Sequence, residues 1–440
     1  MGSRFRRRTG IESEGKIRMK NLIDIINKYK VSDYKITEKT IDSYQLFFVH
    51  ENLETVRRSV TTDKNVTIYQ DHDGFRGNSS FSVYGSDTPE VLCDKVEKAI
   101  SNALLINDKA YTLPESEKES FEIKSNIAEV PFDKLASDVA KVVFDASRRE
   151  KGGLNAVEIF INKIDIHVVN SRGIDKSQRK YNIEVEAIPT FNGEKESVEL
   201  YQFYTSGDYN PQAIADLVKE KMADVEARSI ATKPEGLNCK IILHSSDLQV
   251  VFAELVRQLN YSSIYGHTNL HSVGDDIQKD STGDKINVTM RGVLDGVSAS
   301  SHFDGDGTKM VDCKVIEDGK IISAFGDNRF AQYLGEKTTG ALSIMDVEGG
   351  KEKKVDLEQG EYLECVFFSG IQVDLYGDYI GGEVRLAYHC KDGVKTPVTG
   401  ISISGKLSEV INTIKLSSEK EVDGRYYGPT IASLEKMSIY

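Results

Sequence analysis

The chain has no run of about 18 consecutive apolar residues, so it has no segment expected to span a membrane as a helix. It also lacks an excess of basic charge. The formal net charge of −13 over 440 residues argues against nucleic acid as the main partner, because phosphate binding draws on a basic surface. Cysteine is sparse. Cys93, Cys239, Cys313, Cys365 and Cys390 are scattered, and no two form a CxxC pair. An odd, dispersed set suits a reducing cytoplasm better than a disulfide scaffold. The chain carries no G-x-S-x-G elbow, no P-loop and no GxGxxG fingerprint, so nothing marks a serine hydrolase or a nucleotide site. What remains is ordinary for a soluble globular protein, with 39% hydrophobic and 28% charged residues. At this length two or three domains are expected.

Residues 1–18 (MGSRFRRRTGIESEGKIR) are basic and polar with no apolar h-region, which excludes a secretory signal. They read as a disordered tail or tag ahead of Met19. Leu22, Ile25, Ile26 and Tyr29 then recur at helical spacing. Strand-like runs follow at 44–49, 66–69 and 78–83. A helix opens at Asp87-Thr88-Pro89-Glu90, where Asp87 or Thr88 can cap and Pro89 fits the first turn. Residues 107–124 are polar and read as a linker. A helix over 131–149 is expected to end at Gly152-Gly153. The alternating runs 157–161 and 164–168 predict two strands turning at Asn162-Lys163. Asn170-Ser171-Arg172-Gly173 predicts another turn, runs 180–188 and 198–204 two more strands, and Asn210-Pro211 a further helix. The order helix, strands, helix thus occurs twice.

After 231–236 the texture changes. A strand at 239–243 leads to a helix capped by Asp247 and running to Leu259. From about Ile286 onward short alternating stretches are separated by Gly, Asp and Asn. The fold class expected is α+β: a mixed α/β N-terminal half with strand-helix units, followed by a β-rich, sandwich or barrel-like C-terminal domain. The expected domains are 19–232, divisible into 19–107 and 125–232, and 237–440.

One histidine pair could suggest a metal: His267-Thr268-Asn269-Leu270-His271. It lacks a following glutamate and succeeds a loop-like stretch, so a surface loop is the expected reading. Phe303-Asp304-Gly305-Asp306-Gly307 has paired carboxylates but not the spaced ligands and closing glutamate of a calcium loop. A turn is expected there.

Residues 367–414 (FFSGIQVDLYGDYIGGEVRLAYHCKDGVKTPVTGISISGKLSEVINTI) resemble the C-terminal domain of the TldD/PmbA family. Asn170–Gly173, Phe303–Gly307, and residues 327–340 are similar to further elements of that family. Its active members are metalloprotease-like and carry a helical His-Glu-xxx-His zinc motif and a late cysteine ligand. The matching helix here, 249–263 (QVVFAELVRQLNYSS), has no histidine, and 423–440 has no cysteine. Glu254 alone cannot hold zinc, and Arg257 would repel it. The resemblance is therefore to the PmbA/TldE-type subunit that lacks the zinc motif.

That resemblance implies no catalytic residue and no metal in this chain, with zinc held by a TldD-like partner subunit. It implies a cytoplasmic complex that encloses a chamber and processes unfolded peptides. Asp304, Asp306, Gly307, Gln332, Tyr333, Gly335, Thr339 and Gly340 are the family-motif positions that would line the chamber. Some relatives bear the name modulator of DNA gyrase; the acidic charge gives no support for DNA binding. The chain is expected to form a homodimer when its partner is missing. The alternative reading is a stand-alone homodimeric peptide-binding protein without hydrolase activity. An independent enzyme using unmarked residues ranks last.

Overall fold

A computed structural model describes residues 19–194 and 196–440. The tail expected at 1–18 lies outside the described residues. Two compact units emerge. The first comprises the chain up to Thr40, Thr62–Glu119 and Ile166–Lys176; the second comprises Ile41–Thr61, Ser120–Asp165 and Ser177–Tyr440.

The first unit packs helices α1 (Met19–Ile26) and α2 (Pro89–Ala103) with parts of long strands β1 (Asp33–Val49) and β2 (Asn52–His72) and with β3 (Phe75–Val83). Its core joins Leu22, Ile26, Ile36, Val66, Ile68, Leu92 and Val96. Thr88 caps α2 by accepting from the Val91 N–H, while Asp87 pairs with Lys95 at 2.7 Å. Asp33 is buried and takes Arg76 at 2.7 Å, Arg172 at 3.0 Å and the Ser171 hydroxyl at 2.6 Å. The predicted turn at Asn170–Gly173 is present. The Asn170 side chain accepts from the Arg172 and Ile174 N–H groups, and Gly173 supplies the φ of +95°.

In the second unit α3 (Phe132–Ser147) and α4 (Pro211–Ile230) share a core with Val157, Ile159, Ile183 and Val185. Four expectations are corrected. Gly152-Gly153 does not end α3, which stops at Ser147; the glycines open a strand, Gly152–Asn170. That strand is continuous, so no turn falls at Asn162-Lys163. Burial shifts phase there, with Ile161 and Asn162 both buried, and the shift mimics a chain reversal in the sequence. The run expected at 198–204 is two strands, Ser197–Glu199 and Gln202–Ser206, both paired to Asp175–Asn192. The expected linker 107–124 also carries short strands, Asp108–Lys109 and Lys118–Glu122.

The C-terminal part builds two sheets around one core. An eight-stranded sheet runs Lys415–Leu416, Ile431–Leu434, Lys240–His244, Tyr362–Asp374, Tyr379–Lys391, Ile401–Gly405 and Met437–Ile439, with Val394–Val398 paired to Tyr379–Lys391 off that path. A six-stranded sheet runs Lys320–Ile321, Cys313–Glu317, Val288–Arg291, Ile344–Val347, Tyr426–Pro429 and Lys420–Asp423. Helix α5 (Ser245–Arg257) contributes Leu248, Val251, Phe252, Leu255 and Val256 to the core shared by both sheets. The α+β class is as expected. Cys365 and Cys390 are core thiols, and burial raises both.

Candidate functional site

Helix α5 is where the family resemblance would place zinc. Its apolar residues recur at helical spacing and its buried stripe faces the core. Phe252 is fully buried and stacks on Tyr426, with ring centroids 6.1 Å apart. Glu254 is held by Arg257 through contacts of 2.8 and 2.6 Å. A zinc site needs three protein ligands and an open position. Among the described residues no three His, Cys, Asp or Glu side chains are grouped to hold a metal. The side chains of α5 therefore do not fit the ion.

Charged groups gather instead at the start of α5. Asp247 is not its N-cap, as the sequence suggested; His244 holds that position, and Asp247 lies in the first turn. His244 Nε2 contacts Glu364 at 3.1 Å, and Lys395 reaches the other Glu364 oxygen at 2.6 Å. Burial alone would raise Glu364, but the His244 and Lys395 contacts outweigh it and hold the carboxyl down to about 2. The Ser245 hydroxyl donates to Asp423 at 3.4 Å. Among the described residues Asp247 has no such cation in contact. Burial pushes it up to about 7, against the lowering fields of His244 and Lys221 and with a further rise from Asp423.

This asymmetry predicts a pH effect. Asp247 binds its proton more tightly folded than unfolded, where an aspartate titrates near 3.9. Its contribution is most favourable at low pH and is lost as pH rises toward 7. Asp247 keeps some solvent contact, so a loss on the order of 2 kcal/mol is expected between pH 4 and 8. Asp247→Asn should flatten that part of the profile. Urea midpoints measured across this range would show it; identical slopes in both proteins would refute it.

His267 and His271 do not lie on one helix face. The short helix Tyr261–Tyr265 ends before them, and His267 has a φ of +54°. His271 approaches Asp275 only to 4.0 Å. His267 lies in the turn that ends that helix, and His271 lies in the irregular stretch after it.

The motif residues from Asp304 to Gly340 form a folded loop assembly. Asp304 is buried. One carboxylate oxygen accepts from the Asp306 and Thr308 N–H groups, and the other accepts from Ala341 at 3.2 Å. Burial, with the charge of Asp306, pushes Asp304 up to about 6 despite those three donors. Asp304 thus ties the turn through Gly307, at φ +81°, to the turn at Gly340, at φ +75°. The Thr339 hydroxyl accepts from the Gly326 N–H at 3.0 Å. Gln332 and Tyr333 lie on the helix Asn328–Leu334, which Gly335 closes in the left-handed region. Gln332 donates to Asn328 at 3.0 Å, and the Tyr333 ring packs 4.9 Å from that of Tyr265. Sequence inspection did not signal a separate polar cleft of about 540 Å³ on the large sheet. Gly370, Gln372, Glu383, Ser402 and Ser404 form much of it, beside Tyr379 and Tyr440.

Three solved structures share this architecture. The chain superposes on TldE from Thermococcus kodakarensis with a TM-score of 0.77 at 17% identity. It superposes on a proposed DNA gyrase modulator from Bacteroides thetaiotaomicron with a TM-score of 0.78, and on another from Thermotoga maritima with 0.75, each at 14% identity. Every match covers 96% of this chain and 99% of the other. At these identities the likeness concerns the fold. No curated protein matches by sequence. Residues 237–439 match the PmbA/TldA metallopeptidase C-terminal domain. That domain, built around α5 and its two sheets, is the part of the chain that matches the TldD/PmbA family by sequence.

Proposed function

We propose that this chain is the zinc-lacking subunit of a two-subunit cytoplasmic metallopeptidase that processes unfolded peptides. The observation that carries the reading is α5. In a metallopeptidase-like domain it spends its inward positions on Phe252, Leu255 and Val256, and pairs its glutamate with Arg257. A TldD-like partner would hold the zinc and the water it activates. This chain would supply chamber wall and a surface for extended peptide. Strand addition gives such a surface affinity through the backbone, with little side-chain selectivity.

Co-purification of the native protein followed by metal analysis tests the assignment. Zinc is expected at about one ion per pair, leaving with the partner when the subunits are separated. About one tightly held zinc on this chain alone, lost on His267→Ala or His271→Ala, would overturn it.

A further inference from the structure

We propose that residues 52–61 of β2 form a strand-addition surface whose occupant is a second copy of this chain, paired antiparallel about Val56. The ladder between β2 and β3 begins at Lys64↔Val83 and ends at His72↔Phe75. The other neighbour of β2 is β1. Among the described residues, 52–61 therefore has a strand on one side only. Backbone N–H and C=O groups on the open side form a template for another strand.

Proline, glycine and a covering element, three of the usual protections of an edge, are missing here among the described residues, and charge is the one protection present. Residues 52–61 contain no proline or glycine, and all but Ser59 are exposed. Leu53, Val56 and Val60 are 51%, 49% and 60% exposed. Arg57 lies along the hairpin, donating to Gln45 at 2.6 Å with its guanidinium over Phe47. Alternation along a strand puts Glu54, Val56, Arg58 and Val60 on the opposite face. Arg58 meets Asp42 at 3.5 Å but is 68% exposed, so that pair holds it weakly.

Charge selects the partner and the register. Two copies presenting the same face and centred on Val56 place Val56 against its counterpart. Glu54 then faces Arg58 of the other copy, twice by symmetry, and Val60 faces Asn52. Centring on Glu54 sets two carboxylates opposite each other, and centring on Arg58 sets two guanidinium groups opposite each other. Like charges directly opposite are unfavourable, and opposite charges are favourable. The segment is thus complementary to itself in one same-face register, as a two-fold interface requires.

This surface stands apart from the peptidase-subunit reading, since strand pairing here needs neither zinc nor a peptide. Sedimentation of the full chain gives the dissociation constant, and cysteine cross-linking gives the register. Val56→Cys is expected to form a disulfide-linked dimer under mild oxidation, above the wild-type background. Ser59→Cys, displaced from its counterpart in this register, is not. Glu54→Arg and Arg58→Glu should each weaken self-association about tenfold, and the double exchange should restore it. A monomeric wild-type chain, equal cross-linking at both positions, or no rescue by the double exchange would overturn the proposal.

Discussion

Incubated alone with an unfolded peptide, this chain is expected to leave it intact; on addition of a zinc-bearing TldD-like chain, cleavage should appear, and EDTA should abolish it. A metal-assisted hydrolase needs an ion that brings the pKa of bound water down to about 7. The inward positions of α5 are occupied by Phe252, Leu255 and Val256, and Glu254 is bound to Arg257. His267 and His271 leave the preceding helix through a turn. Among the described residues no three His, Cys, Asp or Glu side chains are grouped as a metal site would need. The difference between single chain and mixture should be large, since enzymatic acceleration amounts to about a millionfold or more. A peptide-cleavage assay with each chain alone and mixed decides it. Robust cleavage by this chain alone, surviving EDTA, would show a metal-independent site instead.

The second large effect concerns α5 as a packing element. Phe252→Ala is expected to cost about 3–5 kcal/mol of stability. Phe252 has no solvent exposure, and it lies in one core with Ile241 and Leu363 of the large sheet and Val288 and Val347 of the small one. Its ring also stacks on the buried Tyr426. Truncation removes transfer free energy and leaves a cavity that two sheets cannot easily close. Urea unfolding of the variant should show a markedly lower midpoint. A loss under about 1 kcal/mol would mean that the helix tolerates repacking and is not a fixed spacer.

The elements legible in the sequence were those whose signals are local. Thr88 before Pro89 and Asn210 before Pro211 marked helix starts, because a side-chain oxygen and a missing N–H suit a first turn. The stripes of α3 and α5 follow from spacing alone. Asp247 was misread because it is a good capping residue, whereas His244 precedes the helix in the fold. The long strands were seen only in part. Polar residues in β1 and β2 carry no apolar alternation, and the exposed stretch 52–61 of β2 buries nothing that would produce it. The short helix Asn328–Leu334 lay inside a motif recognised by resemblance, not by periodicity.

By itself the sequence determined the chemistry available: an acidic chain, no histidine on α5, scattered thiols and a C-terminal half of short alternating runs. Those are properties of composition and spacing. Only the tertiary structure decided which groups meet. Asp304 and Ala341 are joined across the turns by one hydrogen bond, and Glu364 gathers His244 and Lys395 from separate strands. It also decided that Asp247 is left without such a partner among the described residues and that β2 outruns β3. Each depends on contacts between residues far apart in the chain, which a local pattern does not encode.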